Sequence, residues 1–333
     1  MPPKILFVHS SNETFVKLDR ELLINSFELC DLYVPRKFPV SFGLYWRSVR
    51  KSDVIFCWFA SWNSFWVILL AKIFRKPSIM VIGGYDVADL PEANYGHQRG
   101  GLKKKISQWA MGLADILIPF SEYSQSEAIK NAGVRADRMK VIYIGVPDLF
   151  VSLPATARER IALTVGKVEW ANLKRKGLES FVRVAATLQD VKFILVGEWV
   201  DDSIEFLRSI AFANVTFTGR VDDGRLLEFY RHASIYVQPS LHEGFGLSVA
   251  EAMLAGCIPV ITNAGSLPEV IGDCGFYCNT SEPFDIAKSI EIALASPSWF
   301  RGKCRERILS LFPMQKRREL LEESIYSILP LKK

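Results

Sequence analysis

Two glutamates eight positions apart, Glu243 and Glu251, flank a glycine-bearing turn in the run Glu243-Gly-Phe-Gly-Leu-Ser-Val-Ala-Glu251. Ahead of the turn, Ala233 to Ser240 has an apolar, β-branched core that predicts a buried strand. Behind it, Leu247 to Ala255 has helical composition with a stop signal at Gly256. The order is therefore strand, turn, helix N-terminus. Backbone amides at such an N-terminus attract an anion, and Gly244 and Gly246 let the anion come close. Glu251 falls inside the helix among Ala250, Ala252, Met253 and Leu254, where a carboxylate needs donors that sugar or ribose hydroxyls supply. An anion beside a polyol points to a nucleotide sugar. Each glutamate alone has a plainer use, as a dipole partner or a solvated helical side chain. The specificity lies in the assembled stretch.

Stepping out from the turn, apolar strand-like runs alternate with helical patterns, the mark of parallel α/β units. In the first half the predicted strands are Ile5–His9, Leu29–Val34, Val54–Phe59, Ser78–Gly83, Ile116–Pro119 and Lys140–Ile144. The second half restarts at Ile161–Gly166 and continues through Lys192–Gly197, Val215–Thr218, Ile235–Pro239, Pro259–Thr262 and Gly275–Cys278. A break in the pattern near Pro147–Arg158 separates two doubly wound α/β domains, 1–150 and 151–314, and a helix follows within 315–333. At 333 residues two cores are expected. Ligands of such folds bind at the carboxyl ends of the strands.

Several function classes fall away. The first strand runs into Ser10-Ser-Asn-Glu-Thr14 without a glycine, so a dinucleotide fingerprint is absent, and there is no Walker motif. Nothing points to nucleic acid. Six scattered cysteines lack paired metal spacing and read as reduced thiols of a cytosolic protein. Asp201-Asp202 and Asp222-Asp223 are adjacent pairs in predicted turns rather than an Asp-x-Asp metal motif, so no metal and no cofactor are expected. The apolar stretch Val54 to Ala71 is broken by Ser61, Trp62, Asn63 and Ser64 and reads as strand, loop and helix rather than a membrane span. Charge is uneven. Residues 1–150 hold 19 Lys/Arg against 14 Asp/Glu, while 151–333 hold 22 of each. An anionic partner or surface therefore meets the first half.

The stretch from Pro239 to Gly275 resembles the donor-site signature of retaining GT-B glycosyltransferases, in particular glycosyltransferase family 4. The likeness includes the paired glutamates, the Glu251-Ala-Met-Leu-Ala-Gly256 helix, the Ile258-Pro-Val260 strand and the Gly265-Ser-Leu-Pro-Glu269 turn. It implies two Rossmann-like domains facing across a cleft, the first binding acceptor, the second donor, with the last helix crossing back to the first. Glu243 would then reach the donor sugar hydroxyls, Gly244, Phe245, Gly246 and Leu247 would meet sugar and phosphate, and Glu251 would bind the ribose. Gly166 to Gly177 is similar to the family's Gly-Arg…Lys-Gly loop, placing Lys167 and Lys176 on the diphosphate. Lysine stands at 167 where arginine is usual, and the loop is long enough for Lys174 or Arg175 to be the contact instead. Val196-Gly197-Glu198 and Thr218-Gly219-Arg220-Val221 resemble the turns bordering the nucleobase.

In the first half, Ile82-Gly-Gly-Tyr-Asp-Val87 resembles a strand-end motif that carries a histidine in many relatives. Gly83 stands at that position here. Asp86 joins Glu243, Lys176 and Lys167 as the implied catalytic set, with His97, Tyr85 and Gly84 on the acceptor side. The resemblance implies a retaining, metal-independent hexosyl transfer from a nucleoside diphosphate sugar to a glycan acceptor, lipid-linked, in which the leaving phosphate helps to deprotonate the acceptor. Lys103-Lys-Lys105 with Ile106, Trp109, Ala110 and Leu113, and Tyr45-Trp-Arg47 with Arg50-Lys51, suggest peripheral contact with the inner face of an anionic membrane. Two alternatives stay open: a nucleotide-sugar epimerase of the same fold, and a non-catalytic nucleotide-sugar-binding subunit.

Overall fold

The computed structural model describes residues 2–35, 41–150, 157–279 and 282–330. The chain forms two units, one of residues 1–91, 95–145 and 314–333, the other of residues 92–94 and 146–313. The break in the sequence pattern near Pro147–Arg158 falls partly at 151–156, outside the described residues.

The first unit runs β1 (Lys4–His9), α1 (Thr14–Ile24), β2 (Glu28–Tyr33), α2 (Phe42–Lys51), β3 (Val54–Trp58), α3 (Trp62–Ile73), β4 (Ser78–Ile82), α4 (Gly101–Leu113), β5 (Ile116–Pro119) and α5 (Glu122–Ala132). The strands form one parallel sheet in the order β2-β1-β3-β4-β5. Every residue of β3 and β4 is buried, which is why both read as unbroken apolar runs instead of alternating ones. The apolar stretch from Val54 resolves into β3 and α3. Phe59 turns the chain at φ 65°, and the Ser61 hydroxyl caps α3 by accepting from Ser64 N–H. No helix among the described residues is long and apolar enough to cross a membrane.

The second unit runs β6 (Glu159–Val165), α6 (Trp170–Arg175), α7 (Leu178–Val184), β7 (Lys192–Val196), α8 (Ser203–Ile210), β8 (Val215–Gly219), α9 (Asp223–His232), β9 (Ala233–Gln238), α10 (Leu247–Leu254), β10 (Ile258–Thr262), α11 (Leu267–Ile271), β11 (Phe276–Cys278), α12 (Pro283–Leu294) and α13 (Ser298–Leu311). Its parallel sheet has the order β11-β10-β9-β6-β7-β8. The winding reverses between β6 and β9. In open parallel sheets the crevice beyond the carboxyl ends of such a strand pair is where ligands bind.

The last helix, α14 (Met314–Ile328), belongs to the first unit and is fastened there by a buried ion pair. The Arg317 guanidinium donates to both oxygens of Asp19 on α1, at 2.5 and 2.7 Å, and both side chains are almost fully buried. Its remaining amino group donates to the carbonyls of Ile142 and Tyr143 (2.8 Å each). The strand expected over Lys140–Ile144 does not form. Lys140 and Ile142 donate to the carbonyls of Leu117 and Pro119 and one isolated bridge pairs Leu117 with Met139, but Pro119 has no N–H to return a bond to the Lys140 carbonyl, so the ladder stops there.

Replacing Arg317 by methionine leaves Asp19 buried without its cation, and loss of about 3–5 kcal/mol is expected. Lys140→Ala breaks only an exposed pair with Glu323 and is expected to cost less than about 1 kcal/mol. Denaturant unfolding of the two variants measures the contrast.

Candidate functional site

The paired-glutamate turn sits where β9 leaves the sheet at the winding reversal. Glu243 is buried, yet its carboxylate stays charged. Burial alone would raise its pKa, but the ammonium of Lys176 and the guanidinium of Arg175 outweigh it and hold the group below the usual carboxylate range. Lys176 Nζ donates to Oε1 at 2.7 Å and Arg175 Nη1 lies 3.7 Å from the same oxygen. Gln238 Nε2 donates to it at 2.7 Å and the Ser240 hydroxyl at 3.4 Å.

Behind Gln238 a relay runs back into the sheet. Its amide oxygen accepts from Tyr236 Oη (3.1 Å) and Ser248 Oγ (3.2 Å), and Tyr236 in turn accepts from Val165 N–H (3.2 Å). The ends of β6 and β9 and the start of α10 thereby share one network with Glu243. The backbone of Glu243 is fixed too. Its carbonyl accepts from Ser266 N–H and Ser266 Oγ, both at 3.0 Å. Gly265, at φ 61°, lies so close that an added Cβ would come within 2.6 Å of Glu243 N, so only glycine fits this turn.

The basic loop meets this centre from β6. Leu241 N–H donates to the Arg175 carbonyl (2.8 Å), bringing the end of α6 against the turn. Of the four basic candidates, Lys176 and Arg175 point inward, while Lys167 and Lys174 are exposed to solvent. Arg175 is steadied by Asn172, whose Oδ1 accepts from Nε and Nη2 at 3.0 and 2.6 Å. Gly197 and Gly219 close the neighbouring strand ends, with Gly197 N–H donating to Gly219 O (3.0 Å), and Arg220 beyond them is exposed. At the head of α10, Gly246 is left-handed (φ 90°), Phe245 is buried edge-on against Phe312, and the first helical amides lead from Leu247.

Glu251 lies one turn along α10, half-buried. Burial pushes its carboxyl up to about 7, only partly offset by Tyr230 Oη, which donates to Oε2 at 3.0 Å. Sequence reasoning missed Tyr230, Tyr236 and Gln238. The signal was faint but present: Tyr236 and Gln238, with Ser234, are the polar groups of an otherwise apolar buried strand. The aspartate pairs serve local structure. Asp201 accepts from the amides of Trp170 and Ser203, Asp202 from the Trp170 indole, and Asp222 caps α9.

In the first unit the implied residues cluster beyond β3 and β4. Asp86 is buried and its two oxygens accept from the amides of Ala60 and Gly83 at 3.0 Å each. Its carboxyl, pushed up to about 6 by burial, ties two strand-end loops together instead of facing solvent. His97 and Tyr85 are more open. Their rings stack edge to face at 4.7 Å, and His97 Nδ1 donates to the Ala60 carbonyl (3.2 Å). Gly84 stands next to them, with the Tyr95 hydroxyl 3.6 Å from where a Cβ would lie. A side chain at Gly83 would meet the Phe120 ring at 2.6 Å. The histidine position of the motif is therefore filled by an aromatic ring from the end of β5.

The raised carboxyl of Glu251 makes the folded state hold a proton longer than the unfolded chain, whose glutamate titrates near 4.5. Its contribution is whole below pH 4.5 and is lost as pH rises through about 7, at most about 3 kcal/mol. Glu251→Gln should flatten that part of the stability–pH curve, read as thermal midpoints between pH 4.5 and 8.

Residues 159–296 match the family profile described as Glycosyl transferases group 1. The chain is 29% identical over 202 residues to an O-antigen chain mannosyltransferase B of Escherichia coli, covering 56% of this chain and 53% of that one. It is 29% identical over 175 residues to an N,N'-diacetylbacillosaminyl-diphospho-undecaprenol alpha-1,3-N-acetylgalactosaminyltransferase of Campylobacter jejuni, covering 50% and 44%. The chain thus spans about half the length of these curated relatives. Anabaena Alr3699/HepE, solved in complex with UDP and glucose, superimposes with a TM-score of 0.76 at 20% identity, over 98% of this chain and 100% of that one. Residues 159–296 are thus similar to the glycosyl transferases group 1, and the two Rossmann-like parallel units have the GT-B fold of the structural neighbours.

Proposed function

We propose that the protein transfers a hexosyl group, with retention and without a metal, from a nucleoside diphosphate sugar to a glycan acceptor carried on a lipid. The single observation that carries this reading is the charged, buried Glu243 under Lys176 and Arg175 at the head of α10. Two cations and a run of helix amides form a cradle in which the negative charge of a departing diphosphate is stabilised. Glu243 is held in one rotamer by Gln238, ready to accept from sugar hydroxyls, and Glu251 offers the ribose a carboxylate that is not locked in an ion pair.

The relatives' names support the two substrates. One relative acts on a diphospho-undecaprenol acceptor, and one structural neighbour was solved with UDP and glucose. The first unit is the proposed acceptor side, with the half-buried His97 and Tyr85, at the cytoplasmic surface of an anionic membrane. Asp86 positions their loop. The filled space at Gly83 favours one second reading, a nucleotide-sugar-binding subunit without turnover.

Thermal shift against UDP, GDP, ADP and their sugar conjugates is the first test. One nucleotide family at ~100 times its Kd should stabilise the wild type by about 2.7 kcal/mol. Glu251→Ala and Lys176→Ala should each abolish most of that shift. With the donor so identified, sugar transfer to a polyprenyl-diphosphate glycan should proceed unchanged in EDTA and give a product of the donor's anomeric configuration. Donor conversion without acceptor would instead mark an epimerase. Binding without any turnover would establish the subunit reading.

A further inference from the structure

We propose that the surface formed by α2, α3 and α4 docks the protein on an anionic lipid bilayer; this rests on the reading of a lipid-linked acceptor and says which face meets the lipid. These helices pack side by side on one face of the first sheet, Tyr45, Val49, Val67, Ile68, Ala110 and Met111 entering the same core. Their outer side is unusual in two independent ways.

Aromatic rings form a continuous chain across all three helices. Trp109 lies 6.1 Å from Phe65, Phe65 5.2 Å from Trp66, Trp66 6.3 Å from Phe42, Phe42 6.5 Å from Trp46, and Trp46 4.6 Å from Phe74. Trp62 joins it 5.8 Å from Trp66. Trp109, Phe42 and Trp62 are each more than half exposed, and Leu102 at the head of α4 is 64% exposed. A linked apolar patch of that kind marks a binding surface. Tryptophan in particular suits the headgroup layer, where its ring meets lipid and its N–H meets water.

The second feature is charge. The three helices together carry seven Lys/Arg and no Asp or Glu, whereas the second half of the chain is balanced. Arg47, Arg50, Lys51, Lys103 and Lys105 are exposed around the aromatic chain, and Arg50 lies over Phe74 at 5.8 Å. Lys72 is held by Asp115, so the free charge flanks the rings on α2 and α4. A second copy of this chain would bring the same cations against themselves. Anionic headgroups complement them, each cation contributing roughly fivefold to partitioning. With no spanning helix among the described residues, the patch fits the interface plane and not the hydrocarbon core.

The test uses the full chain and vesicles of phosphatidylcholine, with or without 30% phosphatidylglycerol, in a sedimentation assay. The wild type should bind the anionic vesicles at least tenfold more tightly than the neutral ones, less so in high salt. Brominated acyl chains in those vesicles should quench its tryptophan fluorescence. Lys103→Glu/Lys105→Glu and Trp62→Ala/Trp109→Ala should each lose at least tenfold while keeping the wild-type thermal shift with donor nucleotide. Absence of binding by the wild type, equal binding to neutral vesicles, or unchanged binding by both variants would overturn the proposal. So would lipid-independent dimerisation that the tryptophan variant abolishes. Vesicle binding without any nucleotide shift would leave this surface standing and sink the transferase reading instead.

Discussion

A buried carboxylate that must remain ionised organises the second unit. Removing Glu243 from water disfavours its charge, and only cations and donors aimed at it restore the balance. That requirement recruits the end of α6 for Lys176 and Arg175, the end of β9 for Gln238, and the turn before α11 for the serine that grips its carbonyl. Each of those segments leaves a different strand of the sheet. They converge because β6 and β9 are neighbours at the point where the winding reverses. The site is thus a product of topology first and of side-chain chemistry second.

Much of this was legible from residues alone. The glycine-bearing turn between a β-branched strand and an alanine-rich helix announced itself by composition, and buried parallel strands read as unbroken apolar runs. The turn at Gly265 was visible as a motif, but its reason, contact with the Glu243 backbone, was not. Gln238 and Tyr236 gave only a faint signal because their importance is a matter of which partners their side chains reach, and spacing alone does not reveal that. The choice among Lys167, Lys174, Arg175 and Lys176 was equally hidden. Four cations in ten residues look alike until the helix between them decides which face the carboxylate.

The first unit shows the opposite balance. Its motif preserves the aspartate and loses the histidine, and the structure supplies a steric counterpart, since Phe120 occupies the space. Asp86 is absorbed into scaffolding by Gln98 and Ser107, which both donate to its own carbonyl. The strand expected at Lys140–Ile144 failed because Pro119 of β5 offers no N–H to it, and the carbonyls of Ile142 and Tyr143 go instead to Arg317, more than 170 residues away. Both departures trace to the end of β5, to the Phe120 ring in one case and the Pro119 ring in the other.

That arginine also sets an order of events during synthesis. Asp19 leaves the ribosome 298 residues ahead of Arg317, yet each is buried against the other. The second unit, contiguous apart from three residues, has almost its whole chain available before α14 emerges. The first unit therefore closes its buried ion pair only after the chain of the second unit has been made. Birth order and folding order run in opposite directions along this polypeptide.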